Sequence, residues 1–76
     1  MTRLFLDPQV QHELRDLPER HRKAAREILM DLAGDAATGL AYAGIPDAYR
    51  LEREDVIVFY RRTTAGVDVL RVRPNT

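Results

Sequence analysis

The chain has 76 residues, with no cysteine, tryptophan or serine, and twelve cationic side chains balance twelve anionic ones. That length makes one domain, residues 1–76, able to bury only about 60% of its unfolded surface. The missing residue types exclude disulfides, a thiolate nucleophile and a Ser-His-Asp triad, and two histidines do not make a structural zinc site, so no metal or cofactor is expected.

Arg3-Leu4-Phe5-Leu6 predicts a short apolar edge strand. Asp7-Pro8 reads as a helix opening, a carboxylate cap followed by proline at the first helical position. Val10, Leu14 and Leu17 follow at helical spacing until Pro18 breaks the pattern. From Glu19 to Ala33 a second helix is expected, with His21, Ala25, Ile28 and Leu32 on one stripe and Gly34 as its stop. His21 on that stripe reads as a packing histidine, and His12 as a solvent-facing one. Residues 34–47 read as a long loop punctuated by Gly34, Gly39, Gly44 and Pro46, with Leu40 and Tyr42 expected to anchor it to the core.

Three strands are expected in the remainder: Tyr49 to Glu52, Val56 to Arg61 and Val67 to Arg73. Arg53-Glu54-Asp55 forms the first turn, and Gly66 is free to take positive φ at the second. Val56 to Tyr60 is apolar on both faces, as a central strand should be. Strict alternation in the last strand puts Val67, Val69, Arg71 and Arg73 on one face, with Asp68, Leu70 and Val72 on the other. The expected fold is α+β in the order β-α-α-β-β-β, a helical hairpin packed on a small antiparallel sheet. No apolar run approaches the roughly 20 residues that cross a bilayer, and no secretory leader opens the chain, so a soluble cytoplasmic domain is expected.

Motifs for phosphate loops, dinucleotide binding and zinc proteases are absent. The carboxylate pairs Glu54/Asp55 and Glu27/Asp31 suit a turn and a solvated helix face. The arginines carry more information. Eleven of the twelve cations are arginine, whose flat multi-donor fork suits phosphate and carboxylate. Residues 48–76 hold six cations against four anions, whereas residues 1–47 hold six against eight. If Arg50, Arg61, Arg71 and Arg73 converge on the sheet face away from the helices, they form a cationic surface for a phosphate backbone or an acidic peptide. The competing reading is a solvated face on which Arg50 or Arg61 pairs with Glu52.

The segment Pro8 to Leu32, with Leu14, Leu17-Pro18, Arg22, Ile28 and Leu32, resembles the helical hairpin of the RelE/ParE toxin superfamily. The likeness continues through Gly39-Leu40, Gly44, Ala48-Tyr49-Arg50-Leu51, Val58-Phe59-Tyr60 and Val67 to Val72. The resemblance implies the toxin of a bacterial type II toxin–antitoxin module, held inactive by a cognate antitoxin protein. Operator DNA would be met only through that antitoxin, and no membrane is involved. One branch of the family cleaves mRNA on the ribosome, with basic residues standing in for acid/base histidines by stabilising charge on the phosphate. On that pattern Arg50 matches a basic position, Arg73-Pro74-Asn75-Thr76 replaces the usual basic tail ending in Tyr, and Arg61, Arg71 and Arg73 are expected to complete the catalytic set from nearby positions. Glu52 and Ile57 stand where basic residues are usual. The alternatives are a DNA gyrase inhibitor, as in the ParE branch, or a catalytically degenerate module that only binds an antitoxin. In each case the apolar Leu4-Phe5-Leu6 edge and the helical groove are expected to meet a partner.

Overall fold

Asp7 starts the first helix as the sequence implies: its side chain accepts a hydrogen bond from the Val10 N–H at 2.9 Å, and Pro8 occupies the first turn. The computed structural model describes residues 2–35, 39–42 and 44–75. Its elements are β1 (Leu4–Leu6), α1 (Pro8–Asp16), α2 (Glu19–Ala33), β2 (Leu40–Ala41), β3 (Ala48–Arg53), β4 (Val56–Thr63) and β5 (Gly66–Pro74). Pro18 separates the two helices, and Gly34 ends the second.

The strands form one sheet in the order β1-β5-β4-β3-β2, with both helices on one face. β4 is central, which explains why its residues are apolar on both sides. The α+β reading stands, with two refinements. Leu40–Ala41 adds a short strand against Tyr49 and Arg50, inside the segment expected to be a loop. Within that segment, residues 36–38 and 43 lie outside the described residues. The sheet is also mixed, because β1 runs parallel to β5, with Leu4 opposite Val67 and Leu6 opposite Val69. The helical hairpin carries the chain from β1 across the face of the sheet, the kind of long connection a parallel neighbour requires. Gly66 sits where the two strands meet, at φ 148°, and a Cβ there would run into the Arg3 carbonyl oxygen.

The last strand departs from simple alternation. Phe59 pairs with Arg71 but Tyr60 pairs with Val69, so Leu70 is an extra residue and the strand bulges. The bulge resets the phase. Val67, Val69 and Val72 all face the helices and are buried, while Arg71 and Arg73 turn to the open face. The valines and arginines expected together are therefore on opposite sides.

The core joins α1 and α2 to the sheet through Val10, Ile28, Leu32, Val56, Val58 and Tyr60, each fully buried. His21 is also buried, only 5% exposed, and among the described residues neither ring nitrogen has a hydrogen-bond partner. His12 is exposed and lies 3.2 Å from Asp16. Leu40 and Tyr42 do not anchor the loop to the core, since they are 69% and 42% exposed. The anchor is Tyr60, whose hydroxyl oxygen accepts the Gly39 N–H at 2.8 Å from beneath the sheet edge. A Cβ on Gly39 would lie 2.6 Å from the Arg50 carbonyl oxygen, so this contact requires glycine.

Glu54 and Asp55 form the two-residue loop between β3 and β4, and both are left-handed, at φ 49° and 66°. This is the type I′ pattern that Asn-Gly fits best. Replacing Glu54→Asn and Asp55→Gly together raises stability by about 1 kcal/mol, read as a higher urea midpoint with an unchanged slope. His21→Leu removes two unsatisfied buried nitrogens at similar volume and raises stability by about 1 kcal/mol, read as a higher urea midpoint. A lower midpoint for His21→Leu shows that the imidazole holds a polar partner after all.

Candidate functional site

Strand register decides where the arginines go. Residues directly opposite one another across neighbouring strands share a face. Arg50, Phe59 and Arg71 form one such row, Glu52, Ile57 and Arg73 the next, and Ala48, Arg61 and Asp68 a third. These rows lie on the face away from the helices. The four arginines singled out in the sequence therefore share the open face, while Arg53 and Arg62 face the helices. Arg53 is bound to Asp31 of α2 at 2.8 Å, and the Arg62 guanidinium lies 5.8 Å from the Tyr60 ring centre.

The four are not equivalent. Arg50 and Arg71 flank Phe59 from opposite strands, so their Cα atoms are about 10 Å apart. Arg73 lies two residues beyond Arg71 on the same face, about 6.7 Å along the strand. Arg61 is in the outer row, with Asp68 as its cross-strand neighbour. Among the described residues, Arg50, Arg61 and Arg73 form no ion pair. The expected alternative, Arg50 or Arg61 paired with Glu52, does not occur. The Glu52 carboxylate instead accepts a hydrogen bond from the Asn75 amide at 2.8 Å.

Arg71 is held in place. Its Nε donates to Glu13 of α1 at 2.8 Å, and the other Glu13 oxygen accepts the Val72 N–H at 3.0 Å. One carboxylate thus fixes the arginine and satisfies the edge of β5 beyond the end of β1. Sequence reasoning missed Glu13, because nothing in the spacing of α1 marks a residue that reaches a strand 58 positions away.

The second missed feature is apolar. A concavity of about 290 Å³ opens beside Arg71 and Arg73, walled by Tyr42, Ile45, Phe59 and Leu70. The Tyr42 and Phe59 rings meet at 83° with their centres 5.5 Å apart. Ala48 is small enough to leave the floor open. Tyr42 is positioned by its own backbone, whose N–H donates to the Ala48 carbonyl at 2.8 Å. The only sequence signal was an aromatic side chain inside a Gly- and Pro-rich segment. The face therefore combines guanidinium donors with exposed aromatic surface. Both histidines are elsewhere, and the described residues contain no cluster of His, Asp or Glu able to hold a metal ion.

Neither a protein-family model nor a curated protein sequence matches the chain. Solved structures do. A free-state double mutant of the Escherichia coli toxin RelE is 19% identical with a TM-score of 0.79, over 96% of this chain and 82% of that one. The RelB–RelE antitoxin–toxin complex from Methanococcus jannaschii is 13% identical with a TM-score of 0.76, over 92% of this chain and 88% of that one. The RelBE2 toxin–antitoxin complex from Mycobacterium tuberculosis is 20% identical with a TM-score of 0.76, over 96% of each chain. At such identities the likeness is one of backbone, and it extends over nearly the whole chain: this protein has the RelE toxin fold.

Proposed function

We propose that this chain is the toxin of a type II toxin–antitoxin pair and that its open sheet face handles mRNA in the translating ribosome. The observation that carries the reading is the gathering of Arg50, Arg61, Arg71 and Arg73 on the helix-free face of a RelE-type fold, three of them without an ion-pair partner among the described residues. An antitoxin partner is supported by the complexes in which similar folds occur.

The chemistry assigned to this face is phosphoryl transfer within the RNA chain. The 2′-hydroxyl oxygen attacks the adjacent phosphorus, the bond from phosphorus to the 5′ oxygen breaks, and a 2′,3′-cyclic phosphate and a 5′-hydroxyl remain. Charge builds on the non-bridging phosphate oxygens as the new bond forms. Guanidinium groups aimed at those oxygens bind the transition state more tightly than the ground state. Arg71, fixed by Glu13, supplies a donor that needs little reorganisation. Arg50 and Arg73 approach from either side. Both histidines lie off this face; the 2′-hydroxyl proton passes to solvent, and solvent returns one to the 5′ oxygen.

The test is controlled expression in cells, followed by primer extension on abundant mRNAs and a supercoiling assay with purified DNA gyrase. The expected outcome is new 5′ ends inside reading frames and undisturbed supercoiling. Arg50→Ala and Arg73→Ala each lower the cleavage rate about 100-fold, the size of effect seen when one donor to a developing oxyanion is removed. Arg61→Ala, in the outer row, lowers it less. Growth arrest without new 5′ ends, together with gyrase inhibition, replaces this mechanism by the gyrase one. Unaffected growth under strong expression reduces the chain to an antitoxin-binding module.

A further inference from the structure

We infer that the corner between Tyr42 and Phe59 seats a single unstacked nucleobase, so that the face grips RNA by a base as well as by its backbone. This rests on the reading of the open face as an RNA surface and adds an aromatic positioning site to it. The concavity of about 290 Å³ lies at the small end of ligand pockets, suited to one ring system rather than a folded segment. Its walls are planar and set nearly at right angles. A flat ring laid on one of them meets the edge of the other, which satisfies both arrangements that aromatic groups prefer.

The exposures agree with a hydrophobic seat: Tyr42 is 42%, Ile45 46% and Leu70 39% exposed, although all three are large apolar groups in a small domain. Charge selects the occupant. Arg71 and Arg73 line the same concavity, two residues apart on one strand. A planar ring joined to an anionic chain meets both needs, and a nucleotide in a single strand is that object. Stacking of bases on aromatic side chains beside a cationic track is a general way of binding single strands. An aliphatic side chain of an acidic peptide fills the volume but gives neither ring a planar partner. The corner is preformed, because the Tyr42 backbone is bonded to Ala48 and Phe59 sits in the central strand.

The experiment uses the full chain at low salt with two 5′-labelled probes, hexauridylate and a six-unit abasic ribose-phosphate strand. Affinity is read by anisotropy and ring contact by the aromatic proton shifts of Tyr42 and Phe59. Hexauridylate is expected to bind about 5- to 100-fold more tightly than the abasic strand, the range expected for one stacked base. Tyr42→Ala removes that advantage and leaves abasic binding unchanged, whereas Tyr42→Phe keeps it. Ile45→Ser, on another exposed wall, repeats the loss and covers the case in which Tyr42→Ala does not fold. A variant that only unfolds loses both strands.

Equal binding of the two strands, with Arg73→Ala weakening both, overturns the base seat and leaves the arginine face intact. Absence of binding by either strand overturns the RNA reading and the seat with it. An acidic, leucine-containing peptide that moves the Tyr42 and Phe59 ring signals when hexauridylate does not also overturns the seat, in favour of a protein occupant.

Discussion

One inserted residue organises the working surface. Without Leu70 as a bulge, β5 would present Arg71 on the same side as Val67 and Val69, facing the helices. A guanidinium buried there without a partner would be very costly. With the bulge, Val72 takes the next core position opposite Val58 and Arg71 comes beside Phe59. Bulges commonly re-aim side chains near functional sites at the expense of a ladder hydrogen bond. Here the displaced residue is put to use as well, since Leu70 forms one wall of the aromatic concavity.

The opposite wall depends on a second constraint, centred on Tyr60. Its ring is fully buried and stacked on Tyr49, with the centres 5.5 Å apart. Its hydroxyl leaves the core only far enough to accept the Gly39 N–H. That bond and the absence of a Cβ on Gly39 let the incoming chain lie against Arg50 and continue as β2. The position of Tyr42, three residues on, is therefore set from inside the core, although its own side chain is exposed. Arg50, Phe59 and Tyr42 are brought together by packing on the far side of the sheet.

How much of this was legible in the sequence follows from the range of each interaction. Local rules carried the helices, because Asp7-Pro8, Pro18 and Gly34 act within a turn of where they sit. They also carried the central strand, since a run from Val56 to Tyr60 that is apolar on both faces has few other uses. In β3 plain alternation holds, and Arg50 faces the side opposite Tyr49 and Leu51. What alternation lacks is any mark of an inserted residue: Leu70 reads as an ordinary strand leucine, and the bulge appears only when β5 is paired with β4. The direction of β1 is equally silent, because an apolar triplet pairs with either polarity. Glu13 and Tyr42 were missed for a related reason. Both act across the fold, and no periodicity links them to Arg71 or Phe59.

The zero net charge of the chain conceals a division of labour among its ions. Acidic groups on the helices bind two of the arginines: Asp31 holds Arg53, and Glu13 holds Arg71 at the boundary between core and open face. Among the described residues, the remaining open-face arginines, Arg50, Arg61 and Arg73, form no ion pair. Partial pairing is physically useful. Three guanidiniums without an ion pair among the described residues would give attraction and adaptability, but each would lose side-chain entropy on closing on a ligand. Arg71 has been ordered in advance by a carboxylate that also bonds the Val72 N–H, so its position is tied to the β5 edge rather than to the ligand. On the proposed function, a single pre-oriented donor beside unpaired ones would give a bound phosphate a fixed point of reference. Such a reference is what charge stabilisation needs when no histidine on the same surface is available to define the line of attack.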